Sequence, residues 1–163
     1  MVRASVLIAS TLALALAGCS ATGRTEKSGD VGEVLEAKGL QANVKRVDTH
    51  VPVPANDITG LSTPTPGKKL VGAFVTVCSN HPGAIGSFDF GLESSEGDGT
   101  QKFPQMNYAK GFDTVRADCG DGWVVFEIPT GAHPERVTFD FQDTGTSMDE
   151  SNNVDAHFSW AIG

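Results

Sequence analysis

Residues 70–78 read LVGAFVTVC, and residues 123–128 read WVVFEI. Both runs are nearly continuous in apolar residues, rich in β-branched and aromatic side chains, and too short for a buried helix. A central strand covered on both faces has this composition. Turn clusters bound the two runs: residues 79–86 (SNHPGAIG) follow the first, residues 117–122 (ADCGDG) precede the second, and residues 129–135 (PTGAHPE) stop it. Further out, the pattern changes to strict alternation. Leu40, Ala42 and Val44 alternate with Gln41, Asn43 and Lys45. Phe88, Phe90 and Leu92 alternate with Asp89, Gly91 and Glu93. Val137, Phe139 and Phe141 do so with Thr138, Asp140 and Gln142, and Phe158, Trp160 and Ile162 close the chain in the same phase. Period two with one apolar face is the mark of a half-buried strand.

The remaining segments are turns, edges and connections. Residues 94–99 (SSEGDG) form a hairpin-type turn, and residues 103–108 suit a short edge strand. Residues 51–67 (VPVPANDITGLSTPTPG) carry four of the eight prolines and are excluded from any central strand. They form a long connection, either able to move and meet a partner or a passive guard over a sheet edge. Residues 143–155 are an acidic, Ser/Asn-rich loop. No 3.6-residue amphipathic run occurs beyond the N-terminal segment. About seven strands separated by turn signals predict an all-β sandwich. Phe88, Phe90, Phe126, Phe139 and Phe141 are its expected core, joined by Trp123 and Trp160. Tyr108, in a polar stretch, is a candidate for a contact surface.

Length and charge narrow the function classes. The chain has 163 residues, 20 Asp+Glu against 12 Lys+Arg, and a formal net charge of −8. Phosphate-backbone binding needs clustered cations, so no nucleic-acid partner is expected. With 20% charged and 7% aromatic residues, the chain is neither a coiled coil nor disordered throughout.

The N-terminus carries an address. Arg3 precedes an apolar run, residues 6–17 (VLIASTLALALA), that is too short to span a bilayer core of about 20 residues. It ends in Leu16-Ala17-Gly18-Cys19, which resembles the lipobox of bacterial lipoproteins. That resemblance implies a thioether-linked diacylglycerol on Cys19 and cleavage before it, so residues 1–18 are read as a signal peptide. Two acyl chains, at about 0.8 kcal/mol per buried CH₂, hold a protein on a membrane where one is marginal. Residues 19–32, with few apolar side chains, are expected to be a flexible tether. Residues 33–163 remain for one folded domain. Cys78 and Cys119 are then the remaining thiols. In an exported chain without CxxC spacing they are expected to form a structural disulfide.

Four strand motifs together carry a family resemblance. Val75-Thr76-Val77-Cys78-Ser79-Asn80 ends one strand, and Phe88 to Leu92 supplies Phe-x-Phe-x-Leu. Gly122 to Pro129 reads GWVVFEIP, and Val137 to Phe141 supplies Val-x-Phe-x-Phe. In this order they resemble the immunoglobulin-like domain of small actinobacterial and other Gram-positive lipoproteins, the class that includes secreted mycobacterial immunoprotective antigens. The resemblance implies an Ig-like sandwich at the cell surface, with no established activity and no catalytic residues to carry over. The Cys119–Trp123 spacing departs from antibody domains, whose inter-sheet disulfide packs on a strand-C Trp.

Signals for chemistry are sparse. His50, His81, His133 and His157 form no i, i+2 or i+4 pair, so no local metal motif exists. Asp143, Asp149, Glu150 and Asp155 lack the EF-hand pattern, although a cation in loop 143–155 stays open as an alternative. There is no G-x-S-x-G elbow and no phosphate loop opening a helix. The expectation is therefore a cell-envelope lipoprotein, anchored through Cys19. It would act as a non-catalytic binding module for an envelope protein or small ligand, with no cofactor and no catalytic residues. A metal-handling extracytoplasmic lipoprotein is the alternative, and an envelope-polymer enzyme a more remote one.

Overall fold

The computed structural model describes residues 23–51, 63–102, 108, 110–143 and 154–163. In chain order its strands are β1 (Thr25–Asp30), β2 (Val34–Ala37), β3 (Leu40–Asp48), β4 (Lys68–Ser79), β5 (Phe90–Ser94), β6 (Gly97–Asp98), β7 (Thr100–Gln101), β8 (Cys119–Pro129), β9 (Pro134–Asp143) and β10 (Val154–Ala161). They make two sheets, ordered β1-β10-β9-β5-β6 and β2-β3-β4-β8-β7. In immunoglobulin terms β3-β4-β8-β7 stand as strands A-B-E-D, and β10-β9-β5-β6 as G-F-C-C′. The all-β, Ig-like sandwich is thus the observed fold.

The two apolar runs are the paired centre of one sheet. β4 and β8 run antiparallel from Lys68 opposite Pro129 to Cys78 opposite Cys119. Their inward side chains, Val71, Val75, Val77, Val124, Phe126 and Ile128, are fully buried. The facing sheet contributes Phe139, Phe158 and Trp160, packed as a chain of rings with centroids 5.9 and 6.1 Å apart. Each such side chain, once buried, stabilises the fold by about 1.5–3 kcal/mol. The outer side of the β4–β8 pair is covered as well. Trp123 and Val125 are buried there with Val51 and Tyr108, and the partly buried Leu70 and Phe74 pack against them. Gly72 makes room for this layer, because a Cβ on it would stand 2.8 Å from the Trp123 ring and 2.9 Å from Val51. Burial on both faces explains why these two runs show no alternation.

Several expectations change. Residues 25–30, read as part of the tether, form β1 and pair parallel to β10, from Thr25 opposite Ala156 to Asp30 opposite Ala161. The segment that follows is tied down too: Gly32 N–H donates to the Val44 carbonyl at 2.8 Å, and Asn43 Nδ2 donates to the Gly32 carbonyl at 2.7 Å. A polar edge strand gains its place from backbone pairing, which leaves no apolar pattern to read. Trp160 Nε1 adds a bond to the Glu33 carbonyl. Phe88 is not core but 69% exposed. A 3₁₀ turn over Ser87–Asp89 precedes β5, closed by the Gly86 N–H on Asp89 Oδ2 at 2.7 Å, and this takes Phe88 out of strand phase. The turn expected over residues 117–122 ends earlier, since β8 begins at Cys119. Tyr108 is buried at 2% exposure rather than presented to a partner, and Trp123 is buried on the outer side of its sheet. The edge strand expected at 103–108 lies outside the described residues except for Tyr108, as do residues 144–153 of the acidic loop.

Candidate functional site

The outer face of the β2-β3-β4-β8 sheet combines an open groove with a cluster of aromatic and cationic side chains. β3 pairs with β4 in regular antiparallel register from Leu40 opposite Ser79 to Val44 opposite Val75. The register then shifts, so that Arg46 stands opposite Phe74. Lys45 is the extra residue of a β-bulge, which re-aims the side chains around it. Val44 is buried and Val47 packs against the core, while Lys45 and Arg46, neighbours in sequence, both face outward. Strict alternation would have sent Arg46 into the core.

Both cations lie over the same ring. Lys45 Nζ is 5.9 Å and Arg46 Cζ 5.6 Å from the Phe74 centroid, and Arg46 is also 4.9 Å from the Trp123 ring. Lys110 Nζ also lies 5.1 Å from the Phe74 centroid and pairs with Asp121 at 2.7 Å. Among the described residues neither Lys45 nor Arg46 meets a carboxylate. From Lys45 an open groove of about 440 Å³ runs toward the sheet edge. It is lined by Gln41, Asn43, Thr76, Cys78, Gly32 and Val34. That volume lies within the range of small-molecule sites. The Thr76 hydroxyl is shielded from solvent and has no hydrogen-bond partner among the described residues.

Beyond the aromatic layer, Glu127 is buried at 6% exposure. Its carboxylate accepts from Lys102 Nζ at 2.9 Å, from the Thr65 N–H at 2.7 Å and from the Thr65 hydroxyl. Burial pushes its pKa up, but the Lys102 ammonium and the two Thr65 donors outweigh it, holding the carboxyl below its ordinary value. Thr65 belongs to the Pro-rich connection expected over residues 51–67. With Val51 buried under Trp123 and Thr65 fixed on Glu127, both ends of that connection are pinned to the sheet. Residues 52–62 lie outside the described residues.

The expected site residues are distributed as follows. Cys78 and Cys119 are joined, with an S–S distance of 2.04 Å. They stand opposite each other on β4 and β8, at one end of the sheet. This bridge links neighbours B and E within a sheet, unlike the B–F bridge of antibody domains. Cys19 lies outside the described residues. His50 and His133 are largely exposed. His81 Nε2 lies 2.6 Å from the Lys38 carbonyl, and His157 Nδ1 lies 2.8 Å from Asp140, which also meets Arg24. Burial raises the pKa of nearby Asp89; the Gly86 N–H opposes this, and the Asp140 charge adds to it. Among the described residues no three His, Cys, Asp or Glu side chains converge as metal ligands. Sequence reasoning missed Arg46, Lys110, Phe74 and Glu127 as members of one face.

No protein-family model matches the chain, and no curated protein matches it in sequence. Solved structures do match. The Bacillus subtilis strain 168 protein ycdA, provisionally assigned as a lipoprotein, superposes with a TM-score of 0.53 at 14% identity, over 82% of this chain and 38% of that one. This chain therefore spans about two-fifths of that protein. The likeness is one of fold: a β-sandwich. An uncharacterized β-sandwich protein from Clostridium difficile 630 follows with a TM-score of 0.47 at 8% identity, over 86% of this chain and 96% of that one. The yjhA protein of Bacillus subtilis gives 0.46 at 16% identity, over 83% and 99%. Among the described residues no helix is long and apolar enough to cross a membrane.

Proposed function

We propose that this protein is a cell-envelope lipoprotein, held to the extracytoplasmic face of the membrane through lipid on Cys19, whose sandwich is a non-catalytic binding module. The observation that carries the binding reading is the open groove of about 440 Å³ beside the Lys45 bulge. Bulges concentrate where a strand presents side chains to a ligand, and binding residues sit on scaffolds made rigid by packing. Here the scaffold is the β3-β4-β8 face, closed by the disulfide at one end and by the Glu127 network beyond the aromatic layer. The lipobox at residues 16–19 supports the anchor, and the provisional assignment of ycdA as a lipoprotein is in keeping with it. The finer kinship, with actinobacterial immunoprotective lipoproteins, rests on the strand motifs at 75–80, 88–92, 122–129 and 137–141. The metal-handling alternative has no cluster of ligands behind it among the described residues.

The groove is tested by blocking it. Gln41 lines it and is exposed, so Gln41→Trp fills the space without entering the core. The mature protein in detergent micelles is incubated with size-fractionated envelope extract, and bound material is identified by mass spectrometry. A component retained by wild type and lost by Gln41→Trp, at unchanged melting temperature, is the expected result. Identical profiles for the two proteins would overturn the groove as the binding site.

A further inference from the structure

We infer that the bulged pair Lys45–Arg46, with Lys110, is an anion-recognition pole of the groove, and that the ligand is a phosphate ester of a polyhydroxylated compound. The inference rests on the binding-module reading and names the ligand class of that same site. It begins with charge. The chain is acidic overall, at −8, yet three cations converge within 6 Å of one Phe74 ring. Bringing like charges together costs free energy unless an anion joins them. Asp121 neutralises Lys110, which leaves a local formal charge of about +2, carried by Lys45 and Arg46. A phosphate monoester, at about −1.5 to −2 near neutral pH, matches this charge.

Geometry adds to the charge argument. Arg46 Cζ lies 4.9 Å from the Trp123 ring and 5.6 Å from the Phe74 ring, so the two aromatics attract its guanidinium to this place on the face. A planar fork of this kind bonds two oxygens of one phosphate at once. The bulge then sets the Lys45 ammonium beside it on the same face. From Lys45 the groove continues past the amides of Gln41 and Asn43 and the side chain of Thr76. These are neutral hydrogen-bonding groups, suited to the hydroxyls of a polyol or sugar. A phosphate at the bulge with its polyol lying toward Thr76 fills both parts of the surface. A free sugar or glycerol phosphate supplies this pairing of phosphate and polyol, and so does a phosphodiester-linked polyol chain of an envelope, where two successive singly charged phosphates supply the same charge.

The test titrates the mature protein, in detergent micelles, with three probes: glycerol 3-phosphate, a short poly(glycerol phosphate) oligomer, and glycerol. Binding is followed by calorimetry at about 50 and 200 mM salt. One or both phosphate probes should bind and weaken with salt. Glycerol should not bind. Binding of both phosphate probes points to a free ester as sufficient ligand, and binding of the oligomer alone points to the polymer. Arg46→Gln should weaken binding tenfold or more, the loss expected for one charge-assisted hydrogen bond. Arg46→Lys, keeping charge without the fork, should fall between. Arg136→Gln removes an equal charge from the other sheet and should change nothing. Circular dichroism melts confirm that each variant is folded. Absence of binding by either phosphate probe, equal binding by Arg46→Gln, or equal loss with Arg136→Gln would overturn the inference. If Gln41→Trp still loses an envelope component while neither phosphate probe binds wild type, the groove stands as a binding site and only its ligand class is wrong.

Discussion

Removing Lys102 should reverse the pH dependence that Glu127 imposes on stability. Glu127 is 6% exposed and the Lys102 side chain 19%, with Nζ 2.9 Å from the carboxylate. Breaking a buried pair by deleting one partner typically costs 3–5 kcal/mol, because it strands a charge. Two features reduce that figure here. The Thr65 N–H and hydroxyl still bond the carboxylate, and Lys102 sits at the edge of the covered layer. Lys102→Met should therefore cost about 2–4 kcal/mol at pH 7, or roughly 10 °C in melting temperature for a domain of this size. In the wild type the folded-state pKa of Glu127 lies below its unfolded value. Its contribution is thus fully present above the unfolded pKa, and it is lost as pH falls through the folded one. In Lys102→Met, burial acts with less opposition and the folded pKa should rise above the unfolded value. The variant is then relatively more stable in acid, where Glu127 is protonated, and weakens as pH rises.

The assay is thermal unfolding by circular dichroism at pH 4 and pH 7, on a double-mutant cycle with Glu127→Gln. The difference between Lys102→Met and wild type should narrow at pH 4. The double variant should be more stable than Lys102→Met alone. A cost below about 1 kcal/mol at pH 7 with no coupling in the cycle would show that the pair contributes nothing net, as many exposed pairs do.

Two further predictions concern the cysteines. Cys19→Ser should leave the protein unprocessed or release it from the membrane fraction, and a variant that is processed and stays membrane-bound like wild type would refute the lipid anchor. Cys78→Ala should lower stability by about 2–5 kcal/mol by chemical denaturation, and thiol titration of unreduced, unfolded mature protein should find neither Cys78 nor Cys119 free.

The fold was legible wherever tertiary burial wrote itself into the chain. β4 and β8 show as unbroken apolar runs because a core lies beneath them and an aromatic layer above. β9 and β10 show as alternation because only one face is covered. The elements that escaped are those held by backbone bonds. β1 is TEKSGD, with no apolar residue, and main-chain pairing places it beside β10. β2 is joined to β3 through Lys38 and Gly39, both at positive φ, 48° and 79°. That two-residue turn is of the kind that favours Asn-Gly, and a lysine in its first position hides it. Phe88 is the converse case, a residue in perfect strand phase that a local side-chain bond from Asp89 takes out of the strand.

The candidate site was illegible for a different reason, which lies in the periodicity argument itself. Alternation assigns faces by counting, so one inserted residue changes the assignment of everything beyond it. Counted from Leu40, Lys45 points outward, Arg46 inward and Val47 outward. The bulge after Val44 returns Val47 to the core and turns Arg46 out beside Lys45. The hydropathy of Val47 does not mark that insertion by itself, because the count had already placed Val47 on the outer face. The other partners are more distant still: Phe74 is one residue inside an apolar run, and Lys110 belongs to a connection with no pattern. A surface assembled by one register shift and three separate segments exists only at the level of pairing between strands. It follows that charge, not hydrophobicity, was the available clue: two adjacent cations in a strand of an acidic chain, both of which must reach solvent, already require that the strand break its alternation there.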